Sequence, residues 1–432
     1  MIKRLHLKIA AATLATVSML ACERGAQSSD SVALTVPGRS SATPWVAASE
    51  SFVAVTFGAT NASGTDVFVA VSRDAGQTFS SPTLVNAIAG EARLGGEFPP
   101  RVALTARAGS KDPEVAVLWT ARGTSTEIKT ARSRDGGRTF DAPVTLQANG
   151  AAGTRGWPAL TLDQHGTAHS IWLDHRGMAA ASTHGAGDHP GHRAAVPQEG
   201  VAAAQKSGLY YAAAGQASTA EHELTKGVCY CCKTALAAGA DGTLYAAWRH
   251  VYAGNLRDMA LTVSRDGGRT FSEPVRVSED RWAINGCPDD GPAMAVDKTG
   301  VAHLVWPTVI DGPQPEGGIF YATTRDGTQF TSRVRIPTLG SPKPSHPQIA
   351  VDGAGRVVVA WDELIDGRRV ASTREVKVQA NGTATFGDPI DLAPGESAVY
   401  PVLAATDRSL VAVWTTGSGE QSTVHARTLR LK

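Results

Sequence analysis

The chain has 432 residues, with 41 Lys and Arg against 40 Asp and Glu and a formal net charge of +1. So even a balance supplies no field that would draw nucleic acid or an acidic membrane surface, and neither is expected as the main partner. The length exceeds one ordinary domain, which leaves either several domains or one domain assembled from many similar sheets.

Residues 1–22 read MIKRLHLKIAAATLATVSMLAC: a basic start at Lys3, Arg4 and Lys8, an apolar stretch from Ile9 to Leu20, then small residues before Cys22. The apolar run is too short to span a bilayer. The pattern resembles a bacterial lipoprotein signal peptide. The resemblance implies removal of residues 1–21, lipidation of Cys22, and residues 22–41 as a polar tether holding the chain in the cell envelope. Glu23 after the cysteine points to the outer membrane of a diderm, with the protein on its periplasmic or surface face. Among five cysteines, Cys22 would carry the lipid and leave Cys229, Cys231, Cys232 and Cys287. In an oxidising compartment that even remainder reads first as two disulfides.

Beyond the tether two signals recur. Ser133–Phe140 and Ser264–Phe271 both read SRDGGRTF, Ser72–Phe79 reads SRDAGQTF, and Thr324–Phe330 reads TRDGTQF. Asp and Gly at these positions form a tight hairpin turn in which Gly takes positive φ and the Ser, Asp and Thr side chains bond the turn's own backbone. The second signal is an apolar strand ending in an aromatic residue, at Phe57, Trp119, Trp172, Trp248, Trp306, Trp361 and Trp414. These seven markers lie about 50 to 75 residues apart and predict seven similar units. Each is preceded by a shorter strand that often opens with proline, as in WPALTLDQHG, GPAMAVDKTG and HPQIAVDGAG. The last unit supplies only three strands, and residues 32–36 (VALTV) are placed to complete it and close a ring. Residues 182–227 form an Ala-, Gly- and His-rich insertion in which only SGLYYAAAG reads as a strand.

The S-x-D-x-G-x-T-F pattern resembles the Asp-box, or BNR, repeat of the sialidase superfamily. That resemblance implies an all-β propeller of four-stranded antiparallel blades over residues 42–432. The markers give seven blades, and six with one aberrant unit is the other count. It also implies that Asp74, Asp135, Asp266 and Asp326 are structural turn residues far from any catalytic centre.

In such a disc the innermost strand begins, and the second strand ends, on one face. That face therefore collects Cys229, Cys231 and Cys232 beside Cys287, together with His175, His250 and His346. The cysteines read either as disulfides or, with the three histidines, as ligands for a soft metal, Cu or Zn. The sialidase resemblance implies a competing site: Arg101, Arg122, Arg176 and Arg249 for a substrate carboxylate, Tyr400 as nucleophile, Glu363 as its activator and Asp174 as acid/base. The Arg-Ile-Pro motif of that family has no match in the first unit, and Arg335-Ile336-Pro337 lies in the fifth. Three functions remain open. The first is an exported binding or assembly module that engages a glycan or an envelope protein through this face. The others are a glycoside hydrolase acting on acidic sugars and a copper- or zinc-binding protein.

Overall fold

The structure, a computed structural model, describes residues 31–107, 109–123, 125–147, 153–178, 197–214, 221–284, 286, 288, 290–379, 383–407 and 409–429. The signal segment, Cys22, Cys287 and three of the insertion's histidines, His184, His189 and His192, lie outside the described residues. Among the described residues no helix is long and apolar enough to cross a membrane.

Seven antiparallel sheets close into a seven-bladed β-propeller. The first blade runs Ser40–Ser49, Phe52–Asn61, Gly64–Ser72 and Thr83–Leu84 from centre to rim. The sixth blade's outer strand is split into Ala384–Phe386 and Ile390–Asp391, both paired with Arg368–Val378. In the seventh, Val32–Leu34 forms the outermost strand against Thr423–Leu429. The first strands of successive blades touch one another all round the ring, including the last against the first, so they line the axis.

Side chains alternate across each strand, so both faces of a central sheet carry apolar residues and adjacent blades stack face to face. Among the described residues the buried apolar side chains accordingly form seven clusters, one at each junction between blades. The aromatic markers are their largest members: Phe57 and the six strand-ending tryptophans are all at most 1% exposed.

The repeated Ser-Arg-Asp turns have a second use besides closing hairpins. Within a turn, Asp266 accepts from the Thr270 amide at 2.9 Å and hydroxyl at 2.6 Å, while the Ser264 hydroxyl donates to it at 2.8 Å. Asp74, Asp135 and Asp326 are held in the same way, and hydrogen bonding pulls all four carboxyls below their usual range. The turn's glycine then docks on the preceding blade. At Gly268 an added Cβ would lie 1.7 Å from the Tyr211 hydroxyl, and at Gly327 2.1 Å from Val263. The sixth blade's sequence lacks this pattern, reading QANGT at 379–383. A groove of ≈ 780 Å³ opens where such a turn would have docked on the fifth, lined by Thr323, Thr324, Val376 and Val378.

Two further histidines are structural. His303 bonds the Tyr321 hydroxyl at 2.6 Å and Asp297 at 3.2 Å, and in the third blade His169, Tyr211 and Asp163 repeat this arrangement at the same distances. A trio repeated at equivalent blade positions, on the face opposite the inner-strand starts, belongs to the scaffold.

Candidate functional site

Four inner strands begin with the same device. Thr43, Trp157, His346 and Tyr400 each precede a proline and take φ of 55°, 53°, 55° and 52°. Proline gives no N–H to the ladder and crowds the residue before it, so the strand register slips by a bulge at all four places. Left-handed backbone at a bulky residue costs about 1–3 kcal/mol and persists only where the surroundings hold it. At two of the four positions the holding groups are carboxylates from the neighbouring blade. Asp290 Oδ2 accepts from the His346 amide at 2.7 Å, and Asp362 Oδ2 accepts from the Tyr400 amide at 2.8 Å.

These bulges aim His346 and Tyr400 into one shallow pocket at the mouth of the ring, where their rings lie 4.2 Å apart between centroids. The Tyr400 ring lies so close to Gly96 that a Cβ there would sit 2.0 Å from it. Asp362 Oδ2 also accepts from His346 Nδ1 at 2.7 Å, which leaves Nε2 as the basic atom, and Asp362 Oδ1 pairs with Arg369. Lys233 reaches across the ring to the Pro347 carbonyl at 2.9 Å and lies 3.8 Å from Asp290 Oδ1. Glu97 and Arg101 complete the pocket. Arg101 is 2% exposed, donates to the Pro158 carbonyl at 2.8 Å and lies 3.7 Å over the Trp45 ring. Burial pushes its pKa down to about 9, with Glu97 opposing, so it remains a cation at neutral pH. Burial also lowers the His346 pKa, so the imidazole is neutral there.

Of the residues expected for an acidic-sugar site, the mouth holds Tyr400 and Arg101. Glu363 points the other way, because neighbours on a strand face opposite sides. Its carboxylate is buried and accepts from the Trp361 indole at 2.6 Å and the amides of Leu339 and Ser341 at 2.6 and 2.9 Å. Asp174 is buried between Arg155, at 2.9 Å, and Arg176, at 2.7 Å, and these cations and its hydrogen bonds hold it ionised against the effect of burial. Arg176 spends its remaining charge on Glu221 at 2.8 Å, and Arg249 is buried among the carbonyls of Asp290, Arg257 and Pro307. The Arg122 side chain is exposed. Lys233, Arg369 and Glu97 were not foreseen as site residues. The signal available for two of their partners was the X-Pro opening of the inner strands.

Cys229, Cys231 and Cys232 do come together, with all three sulfurs within 4.8 Å of one another. Among the described residues no histidine joins them. His175 bonds Thr154 at 3.0 Å, His250 accepts from the Trp248 indole at 3.3 Å, and His346 is at the mouth. Cys229 and Cys232 are free thiols and Cys231 is disulfide-bonded, so the two bridges expected from four cysteines reduce to one. Cys232 donates to Cys229 at 3.5 Å, and Arg257 Nη1 donates to the same Cys229 sulfur at 3.1 Å. The Cys232 hydrogen bond and the Arg257 and Arg249 charges pull the Cys229 pKa down against burial, whereas burial pushes Cys232 up.

No family model matches the sequence, and no curated protein matches it. Solved structures do resemble the fold. An ulvan lyase of polysaccharide lyase family PL25 superposes with TM-score 0.55 at 9% identity, over 93% of this chain and 96% of that one. The polysaccharide lyase Uly1 gives 0.52 at 12%, over 90% of each chain. The GH93 α-L-arabinofuranosidase of Fusarium graminearum, solved with arabinobiose, gives 0.50 at 14%, over 93% and 96%. At these identities the likeness is one of architecture: the chain is a seven-bladed β-propeller built like several carbohydrate-active proteins.

Proposed function

We propose that this propeller takes an acidic polysaccharide at its mouth and cleaves it by β-elimination, with His346 as base and Tyr400 as acid. The observation that carries the reading is the close, tilted His346–Tyr400 ring pair, with Arg101 and Lys233 lining the same pocket. Elimination from a uronate needs a cation to offset the sugar carboxylate, a base for the proton beside it, and an acid for the leaving oxygen. Arg101 and Lys233 suit the first task, the neutral His346 imidazole the second and the Tyr400 phenol the third. The sialidase-type assignment would instead need Glu363 on the Tyr400 hydroxyl and a cluster of arginines, and Glu363, Arg122, Arg176 and Arg249 are engaged or placed elsewhere. Lipidation at Cys22 and display in the cell envelope belong to the same proposal and fit an enzyme that meets polymers outside the cell.

The test is a panel of uronate polysaccharides, read by the ultraviolet absorbance of the unsaturated product, beside methylumbelliferyl sialoside and arabinofuranoside. Absorbance on at least one polymer, lost in Tyr400→Phe and in His346→Gln, is the expected result. Calorimetric binding of a polymer without turnover would reduce the protein to a glycan-binding module. Neither binding nor turnover across the panel would remove the reading.

A further inference from the structure

The buried sulfur cluster between the third and fourth blades lies outside the proposed glycan site. Cys229 and Cys232 are spaced as Cys-x-x-Cys, are 1% and 2% exposed, and hold their sulfurs 3.5 Å apart. The less expected member is Arg257. Its side chain is fully buried, and among the described residues no carboxylate pairs with it. Burying a guanidinium without an anion is strongly unfavourable, so a partner charge must be near. Two of its nitrogens, Nε and Nη2, donate to Asn255 Oδ1 at 3.2 Å each, which turns Nη1 onto the Cys229 sulfur at 3.1 Å. Asn255 adopts φ of 60° in making that contact. Among the described residues, the anion this geometry supplies to Arg257 is a Cys229 thiolate, hydrogen-bonded in turn by the Cys232 thiol.

We propose that Cys229 and Cys232 are a redox-active dithiol that closes reversibly to a disulfide, with Arg257 as the residue that positions and charges the attacking sulfur. The co-reactant is a small external disulfide. The Cys229 thiolate attacks one of its sulfurs, forming a mixed disulfide and releasing the first small thiolate. Cys232 gives up its proton and attacks the Cys229 sulfur, forming the Cys229–Cys232 bond and releasing the second small thiol. Two protein sulfurs are oxidised and one external disulfide is reduced to two thiols. Beside the arginine lies the helix Pro197–Ala204: Gly200 packs directly on Asn255 and Arg257, while Ala202 of that helix is exposed. Closing the disulfide removes Arg257's anion, so the oxidised protein must be the less stable form and the couple an oxidising one.

The experiment equilibrates the full chain across a series of reduced to oxidised glutathione ratios, blocks thiols under denaturing conditions and maps the peptides by mass spectrometry. Cys229 and Cys232 are expected to be alkylated together at the reducing end and linked to each other at the oxidising end, with a lower melting temperature for the linked form. Arg257→Met should move the midpoint at least tenfold toward reducing ratios, because the reduced state loses its stabilising cation. Should that variant fail to fold, Cys232→Ser must trap a glutathione adduct on Cys229. Thiols that stay alkylatable at every ratio, a bridge from either cysteine to Cys287, or a copurifying copper or zinc ion that blocks oxidation would each overturn the proposal.

Discussion

His346 Nδ1 and Asp362 Oδ2 lie 2.7 Å apart, and that same oxygen accepts from the backbone amide of Tyr400 in the next blade. One buried carboxylate atom thus fixes the orientation of the imidazole and the strained backbone that presents the phenol. Asp362→Asn keeps the volume but removes the charge and offers only one acceptor oxygen. Turnover of the glycan found in the screen should fall by about 10²-fold or more with little change in KM, since Asp362 acts through two other residues. A variant that loses affinity and keeps kcat would contradict this role.

Glu363 makes the opposite prediction. It is a buried acceptor for three N–H groups, so Glu363→Gln should lower stability by about 1–3 kcal/mol in urea or guanidinium unfolding and leave turnover near that of the parent. Loss of activity at full stability would restore Glu363 to the chemistry.

The docking of repeated turns on the preceding blade can be isolated with two adjacent glycines. Gly267 and Gly268 have φ of 72° and 85°, but an added Cβ meets open space at Gly267 and the Tyr211 hydroxyl at Gly268. Gly267→Ala should cost about 1 kcal/mol, the penalty of left-handed backbone alone. Gly268→Ala should cost about 3 kcal/mol or more, because a ring must also move. Equal losses in the two variants would mean that the turn does not clamp the blades.

Acid should destabilise the protein earlier than its carboxylates alone would. Burial lowers the pKa of His169, His303, His346 and His425, and that of His250 to about 4, with the Arg276 charge adding to the effect. Each is neutral in both states well above its ordinary value of 6.5, and below it the unfolded chain binds the proton first. Stability is therefore full above about pH 6.5 and falls as the pH drops toward 4, with His250 alone accounting for about 3 kcal/mol. Asp258, whose carboxyl burial pushes up, works in the other direction. Melting temperature against pH should show the decline, and His250→Phe should flatten part of it.

The blades were legible because their signals are local: an aromatic residue closing an apolar strand and an Asp-Gly turn carry their meaning within ten residues. The mouth was less so. Whether Asp362 or Glu363 faces the axis depends on strand register, which the bulge at His346 shifts. Lys233 reaches a carbonyl 114 positions away in sequence, and nothing near either residue announces the other. The arginines after the second strands were attractive for a bound anion, but Asp174, Glu221 and backbone carbonyls nearer to hand already satisfy two of them. The helix Pro197–Ala204 was hidden by the composition around it, although proline at a first helical position followed by Gln and Glu is a start signal. The inner-strand prolines were visible, and reading the residue before each one as a strained position would have singled out His346 and Tyr400 together.

The seventh blade takes its rim strand, Val32–Leu34, from the beginning of the chain and its other three from the end. During synthesis six sheets can assemble in order while that first segment waits for a partner not yet made. The circle stays open until Thr423–Leu429 has been made, so the two distant segments meet at one seam, and trimming either should weaken the junction between the last blade and the first.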